Sequence, residues 1–323
     1  MEQVFLVAGI ILLLITIYDF FFTTLSGSGA GFISKSVASF SYVATRLSSK
    51  IFGRKIFDYS GMIVNLGVLF VWILLVWLGL FLVYSYDPSG ITNSDSRPAN
   101  WVERLYYTGY VLSTLGLGNF KPTTSFFEIM TSIFSFFGFI FFTSSMTYLI
   151  SVSSAVIRKR TLSRSISNLG KDPEEVAEKL RQVNSSYKDQ QLLSLQEKID
   201  NHLVGHQAYP VVHFFSHSNP DNCFSTNFTR LDEALTIILD PENNKEKEVG
   251  SEELQLLRDT MTNLLVHLHE NFSASLPEPE NRVKEGSISP QNLTQEQLSN
   301  PEHRRELLSS LLRNEGFSWQ SIK

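Results

Sequence analysis

The sequence predicts an all-α membrane protein carrying a mostly helical, acidic second half, and three observations lead there. Long apolar runs crowd into the first half, charge segregates between the halves, and a glycine-rich loop separates two of the runs. Residues 1–160 hold 11 Lys and Arg against 7 Asp and Glu, and residues 161–323 hold 16 against 25, so the halves carry +4 and −9. A soluble protein of the same mean hydropathy would not divide its charge this way. The single cysteine, Cys223, allows no intrachain disulfide and suits a reducing compartment for the second half.

Val4–Leu25 is a run of 22 residues with Asp19 as its only charge, Met62–Tyr84 has 23 and none, and Phe126–Ile157 has 32 with Glu128 alone. Each exceeds the roughly 20 residues that cross a hydrocarbon layer, and a backbone in lipid must bond to itself, so each is expected as a helix. Glu2 without Lys or Arg, ahead of a run this long, favours a retained helix over a cleaved signal.

Orientation follows from the cations at the helix ends. Lys35, Arg46, Lys50, Arg54 and Lys55 lie between the first two runs, and Arg158, Lys159, Arg160 and Arg164 follow the third. Only Arg97, Arg104 and Lys121 lie between the second and third. The expected topology has the N-terminus outside and residues 26–60 and everything after 158 in the cytoplasm, in the plasma membrane or a cell inner membrane. Four N-x-Ser/Thr sequons, at Asn184, Asn227, Asn271 and Asn292, fall on that cytoplasmic side. Ile33, Val37, Phe40, Ala44, Leu47 and Ile51 form one helical stripe, which fits either a helix on the inner leaflet or one packed on its own protein. The Gly27–Gly31 run ahead of it follows a helix rather than a strand and is expected to be a hinge, not a phosphate loop.

The chemistry lies between the second and third runs. Residues from about Trp101 to Ser113 are too few to span and suit a short helix, which runs into Thr114-Leu115-Gly116-Leu117-Gly118-Asn119. A pore must replace the water of a cation with closely spaced oxygens. Stacked peptide carbonyls supply them if alternating glycines, here Gly116 and Gly118, permit the unusual dihedrals. Thr114 adds a hydroxyl at the inner end, and the C-terminal end of the short helix turns its negative dipole end toward the cation.

This hexamer, in this setting, resembles the pore loop of the potassium-channel superfamily, whose filter usually reads Thr-Val-Gly-Tyr-Gly-Asp. The resemblance is to the two-helix pore-loop type, with an extra N-terminal transmembrane helix and no Arg-repeat voltage sensor. It implies a tetrameric pore-loop channel, a homotetramer in the lipid membrane with K⁺ or another monovalent cation in the filter. Leu117 stands where relatives carry Tyr and Asn119 where they carry Asp. The resemblance implies that the missing tyrosine hydroxyl helps hold the filter at a fixed width. Weaker potassium selectivity or lower conductance is therefore expected, with K⁺ preference over Na⁺ left open. Those departures also keep open a second reading, a non-conducting receptor or scaffold with a degenerate pore loop.

Gly138 lies 20 residues past Gly118, where the resemblance implies a hinge and close packing is the alternative. The resemblance also aligns Phe139, Phe142, Met146, Ile150 and Ser154 toward a central cavity, and Phe142, Met146 and Ile150 are the gate candidates. Ser125 and Glu128 suit a capping box, and Asp19 is expected to pair with a cation from residues 46–55.

In the acidic half, helices are expected at Pro173–Gln182, Gln190–His206, Thr229–Leu239 and Glu252–Phe272, with Tyr209–Phe215 a strand or buried loop. A Pro/Glu/Ser-rich linker near 273–290 leads to a last helix near Thr294–Arg313. His213, His217 and Cys223, or His267 and His269, lack a convincing ligand spacing, so no metal is expected. No paired nucleophile and base is present, and no enzyme, cofactor or nucleic-acid partner is expected. The expected divisions are 1–25 (first span), 26–60 (linker with amphipathic helix), 61–158 (pore domain), 159–272 (cytoplasmic regulatory domain, open to an unknown ligand) and 273–323 (linker and last helix).

Overall fold

The computed structural model describes residues 2–182, 185–240, 251–272, 298 and 300–322. Three of the described helices, Glu2–Leu25, Arg54–Tyr84 and Ser125–Ser167, are long and apolar enough to cross a membrane. The chain folds as an all-α membrane protein in two compact units.

The first unit comprises residues 1–41, 63–153 and 208–210. It holds α1 (Glu2–Leu25), the start of α2 (Phe32–Phe52), most of α3 (Phe57–Tyr84), the short α4 (Trp101–Leu112) and much of α5 (Ser125–Ser167). The strands β1 (Ile91–Asn93) and β2 (Phe120–Pro122) pair antiparallel, Thr92 opposite Lys121. Helices in lipid gain little from apolar burial and adhere through close packing. Here the contacts are aromatic, with Phe20 lying edge-on to Trp72 and against Phe141 at 5.2 and 4.5 Å between centroids.

Asp19 pairs with no cation among the described residues. Its carboxylate is fully buried and accepts the backbone N–H groups of Ile33 at 2.8 Å and Ser34 at 3.2 Å, the Ser34 hydroxyl, and the Trp72 indole N–H at 2.9 Å. The carboxylate of one helix thus caps the N-terminus of the next, where unpaired N–H groups and the helix dipole favour negative charge. Its capping partners, 14 and 15 residues away, are too distant for a local capping pattern.

Helix α2 buries Ser34, Ala38, Tyr42 and Thr45, the opposite choice from its apolar stripe. Ile33 and Val37 of the stripe are half-buried, while Phe40, Leu47 and Ile51 are 76%, 58% and 82% exposed, so from Phe40 onward the stripe does not pack on its own chain. At the start of α5 the expected capping box is shifted by one residue. Thr124 takes the cap, its hydroxyl accepting the Phe127 N–H at 3.4 Å and its carbonyl the Glu128 N–H at 2.9 Å. Glu128 then lies one position too far along to reach back.

The second unit comprises residues 42–62, 154–207 and 211–323. Its helices α6 (Pro173–Gln182), α9 (Ser251–Phe272) and α10 (Pro301–Asn314) pack on α8 (Phe224–Leu239), and α7 (Ser185–Ala208) reaches it where the His202 ring meets Phe224 at 4.7 Å. Helix α8 is buried nearly all round, as a central helix must be. It begins at Phe224, ahead of the expected Thr229, and the added turn holds Asn227, a buried polar residue with partners. The Asn227 amide donates to the Ser163 hydroxyl and to the carbonyls of Asp221 and Cys223, so this sequon is an internal structural group. Asn184, Asn292 and the linker at 273–290 lie outside the described residues, as do 294–297 of the last expected helix. Residues Pro210–Phe214 form a 3₁₀ turn rather than a strand.

Four histidines meet inside this unit. The His206 ring lies 5.7 Å from His202, 5.5 Å from His213 and 5.2 Å from His267, with a hydrogen bond of 3.1 Å between His206 Nδ1 and His267 Nε2. The Nε2 atoms of His202 and His206 are buried without a hydrogen-bond partner among the described residues. Burial, then the neighbouring charges of Lys159 and the other histidines, pushes His202 and His206 well below their usual range. Burial and Lys159 push His213 down to about 3, against a smaller upward pull from Glu315. His267 is lowered by burial, against an upward pull from Glu270.

Below a pH of about 6.5 the unfolded chain takes up protons that these rings refuse. Stability is therefore full above that value and falls as pH drops, by up to about 1.4 kcal/mol per pH unit for each of the buried His202, His206 and His213, and by less for the half-exposed His267. Thermal melts at pH 7.5 and 5.5 are expected to show a lower midpoint at 5.5, and His206→Phe is expected to reduce the difference. Equal midpoints at the two pH values would contradict it.

Candidate functional site

The pore loop is assembled from its first helix. Arg97 grips Glu103 with two hydrogen bonds of 3.1 and 2.6 Å, and Glu103 accepts the Asn100 N–H at 2.7 Å. Asn100 Oδ1 accepts the Glu103 N–H at 3.0 Å in return, closing a capping box that starts α4 at Trp101. The Trp77 indole donates to the Leu105 carbonyl at 3.0 Å and ties α4 to α3. Hydroxyls of Tyr84 and Tyr107 both meet Thr131 Oγ1, at 2.9 and 2.7 Å, and tie α3 and α4 to α5.

Helix α4 ends in a tightened turn, with Ser113 N–H on the Gly109 carbonyl, Thr114 N–H on Val111 and Leu115 N–H on Tyr110. Then the backbone alternates. Thr114, Gly116 and Gly118 have φ of +57°, +58° and +74°, while Leu115 and Leu117 between them do not enter the positive range. Glycine adopts this region freely, but a β-branched threonine does so at a cost of about 1–3 kcal/mol, which marks a site where the surroundings impose the conformation. The six residues 114–119 are all exposed, and the side chains of Leu115 and Leu117 are 59% and 56% open. Past the loop, the Tyr110 hydroxyl donates to the Phe120 carbonyl at 2.7 Å, and Phe120 opens β2.

Gly138 sits directly behind this turn. A Cβ there would stand 2.0 Å from the Leu112 carbonyl oxygen and 2.9 Å from its carbon. The close approach of α5 to the end of α4 therefore requires glycine, and α5 runs unbroken through it. Phe142, Met146 and Ile150 share one face of α5 at four-residue spacing, 65%, 47% and 64% exposed, with Phe139 at 59% beside them. Thr143 and Thr147 bond back to the carbonyls of Phe139 and Thr143, as most polar residues of a membrane helix do.

Among the described residues no group of three or more His, Cys, Asp or Glu is placed to hold a metal ion. Cys223 Sγ donates to Glu315 Oε2 at 2.7 Å, His213 stacks on Phe272, and His217 lies 3.6 Å from Asp58. Four features escaped the sequence reading: the Arg97–Glu103–Asn100 cap, the Asp19 cap, the Tyr110 bond and the positive φ of Thr114. Asn100 and Glu103 do carry the local spacing of a capping box and were legible in principle.

The loop and its two flanking helices also match known proteins. Residues 68–154, from α3 to the middle of α5, match the family described as ion channel. Over 242 residues the chain is 34% identical to the Bacillus subtilis (strain 168) protein named Uncharacterized membrane protein YdjJ, covering 73% of this chain and 70% of that one. No solved structure matches. Two spans flank a short helix and a loop of alternating handedness, and the family match covers that stretch, so the chain belongs to the ion-channel family built on the two-helix, potassium-channel-type pore domain.

Proposed function

We propose that four copies of the chain surround one axis as a cation channel, potassium-permeable and of reduced selectivity, conducting through Thr114–Asn119. The observation that carries this reading is the alternation of φ at 114, 116 and 118. Alternating handedness turns successive peptides so that their carbonyls share one side of the chain, the arrangement that can stand in for a cation's water. One chain supplies one wall.

Phe142, Met146 and Ile150 form the gate in this reading, an apolar ring that closes by excluding water. Residues 159–272 act on it through α5 in response to a cytoplasmic ligand, and the basic segments at 35–55 and 158–164 keep that half inside.

The test is cation flux from liposomes under K⁺ and then Na⁺ gradients, wild type against Gly116→Asp. At φ +58° an aspartate is strained and places a charge in the path. Wild-type flux that falls to the protein-free level in the variant is the expected result, and the K⁺ to Na⁺ ratio then measures the effect of Leu117. Unchanged flux in the variant would remove conduction from this loop. Silence from both the wild type and a chain ending at residue 164 would favour the non-conducting receptor.

A further inference from the structure

We infer that Tyr110 is the positioning residue that sets the width of the conduction loop, an inference that rests on the channel reading above. Its backbone carbonyl accepts the Leu115 N–H at 3.0 Å, at the inner end of the loop. Its hydroxyl donates to the Phe120 carbonyl at 2.7 Å, just past the outer end. One residue of α4 therefore ties both ends of the stretch 114–119.

The tie is rigid at its base. Tyr110 is 7% exposed, and its ring stands edge-on to Tyr107 and Tyr106 at 4.9 and 5.6 Å. Its two neighbours do not duplicate the tie. The Tyr107 hydroxyl is engaged with Thr131, and Tyr106 meets Phe120 only through its ring, at 6.1 Å. Beyond Phe120 the chain is held by β1, through the pairing of Asn93 with Phe120.

The need for such a tie follows from the loop itself. On the size-fit account of carbonyl filters, discrimination rests on a spacing that resists closing on the smaller cation. The Leu117 side chain has no group able to hydrogen-bond, so no side chain braces the centre of the loop, and the ends must hold it. A bond between α4 and the outer end resists that closure. Losing the hydroxyl should relax discrimination before it abolishes flux.

The experiment compares the whole wild-type protein with Tyr110→Phe, which removes only the oxygen. Reversal potentials under K⁺/Na⁺ bi-ionic conditions give the permeability ratio. Melting temperatures of the detergent-solubilised protein in K⁺ and in Na⁺ give a second readout that needs no open gate, because a bound ion stabilises the folded form. In Tyr110→Phe the permeability ratio is expected to fall about three- to tenfold, the range that one lost hydrogen bond of ordinary strength corresponds to. The difference between the K⁺ and Na⁺ melting temperatures should narrow with it. Para-aminophenylalanine at 110, which returns an N–H donor to the same place, should restore both.

A wild type that discriminates, with a Tyr110→Phe variant that keeps both the ratio and the melting difference, would overturn this inference and leave the channel reading intact. A relaxed variant that para-aminophenylalanine does not restore would overturn it too. A wild type with neither flux nor a K⁺-dependent melting difference would overturn the channel reading, and this inference with it.

Discussion

Asp232→Ala is expected to destabilise the second unit by about 3–5 kcal/mol, because it leaves two buried guanidinium groups without their carboxylate. Asp232 is fully buried on α8. Arg304 of α10 grips both of its oxygens, and Arg258 of α9 lies 3.1 Å from Oδ2, with Arg304 only 1% exposed. Three helices thus converge on one carboxylate. Arg304 also donates to Thr262 at 2.7 Å and Arg258 to the Asp232 backbone carbonyl at 2.7 Å. Those bonds would survive the substitution, but the net charge would not be balanced.

For a unit of this size such a loss lowers the melting temperature by roughly 6–20 °C, which circular dichroism would follow. Replacing Asp232, Arg258 and Arg304 together by leucine should cost less than Asp232→Ala alone, since no charge is left stranded. A single variant that melts with the wild type would show that the ion cluster is not a stability element.

Gly138→Ala separates two accounts of one glycine. A new Cβ would stand 2.0 Å from the Leu112 carbonyl oxygen, which is backbone at the last turn of α4 and cannot swing aside. Overpacking of this kind costs about 1–3 kcal/mol, and the shift it forces falls directly on the turn that begins at Ser113. Packing predicts a lower melting temperature together with reduced flux and reduced K⁺ discrimination. A hinge predicts altered opening with stability and discrimination intact. Melting and reversal potentials measured on the same preparation decide between them, and wild-type stability in the alanine variant would exclude the packing account.

Much of this fold was legible because lipid makes simple demands. A backbone without water must be helical, so the runs 4–25, 62–84 and 126–157 located three helices, although the third continues to Ser167. The loop was legible for a related reason: glycines at 116 and 118, following a short polar-ended helix, mark positive φ in advance. Thr114 was not legible, because nothing in a threonine announces a left-handed conformation. Asp19 was misread for want of distance information. Its partners come from Ile33, Ser34 and Trp72, so the pairing is written in the crossing of α1 with α3 and in the turn to α2. The α2 stripe was seen correctly as a stripe, but its direction depended on Tyr42 and Thr45 finding buried places that periodicity cannot reveal. Helix α8 was drawn too short at its start, where Phe224–Phe228 precede the expected Thr229 and the polar Asn227 finds its partners in Ser163, Asp221 and Cys223.

The burial of Cys223 bears on how this protein can be studied. The thiol is fully enclosed and donates to Glu315, and burial, reinforced by the Glu315 carboxylate, pushes its pKa up to about 12. Thiol reagents act on thiolate, so this sulfur should stay silent toward maleimides and methanethiosulfonates in the folded protein. It is also the only cysteine in the sequence. The native chain is therefore a ready background for reporter chemistry, in which a cysteine introduced at Leu117 or Met146 would be the one that reacts.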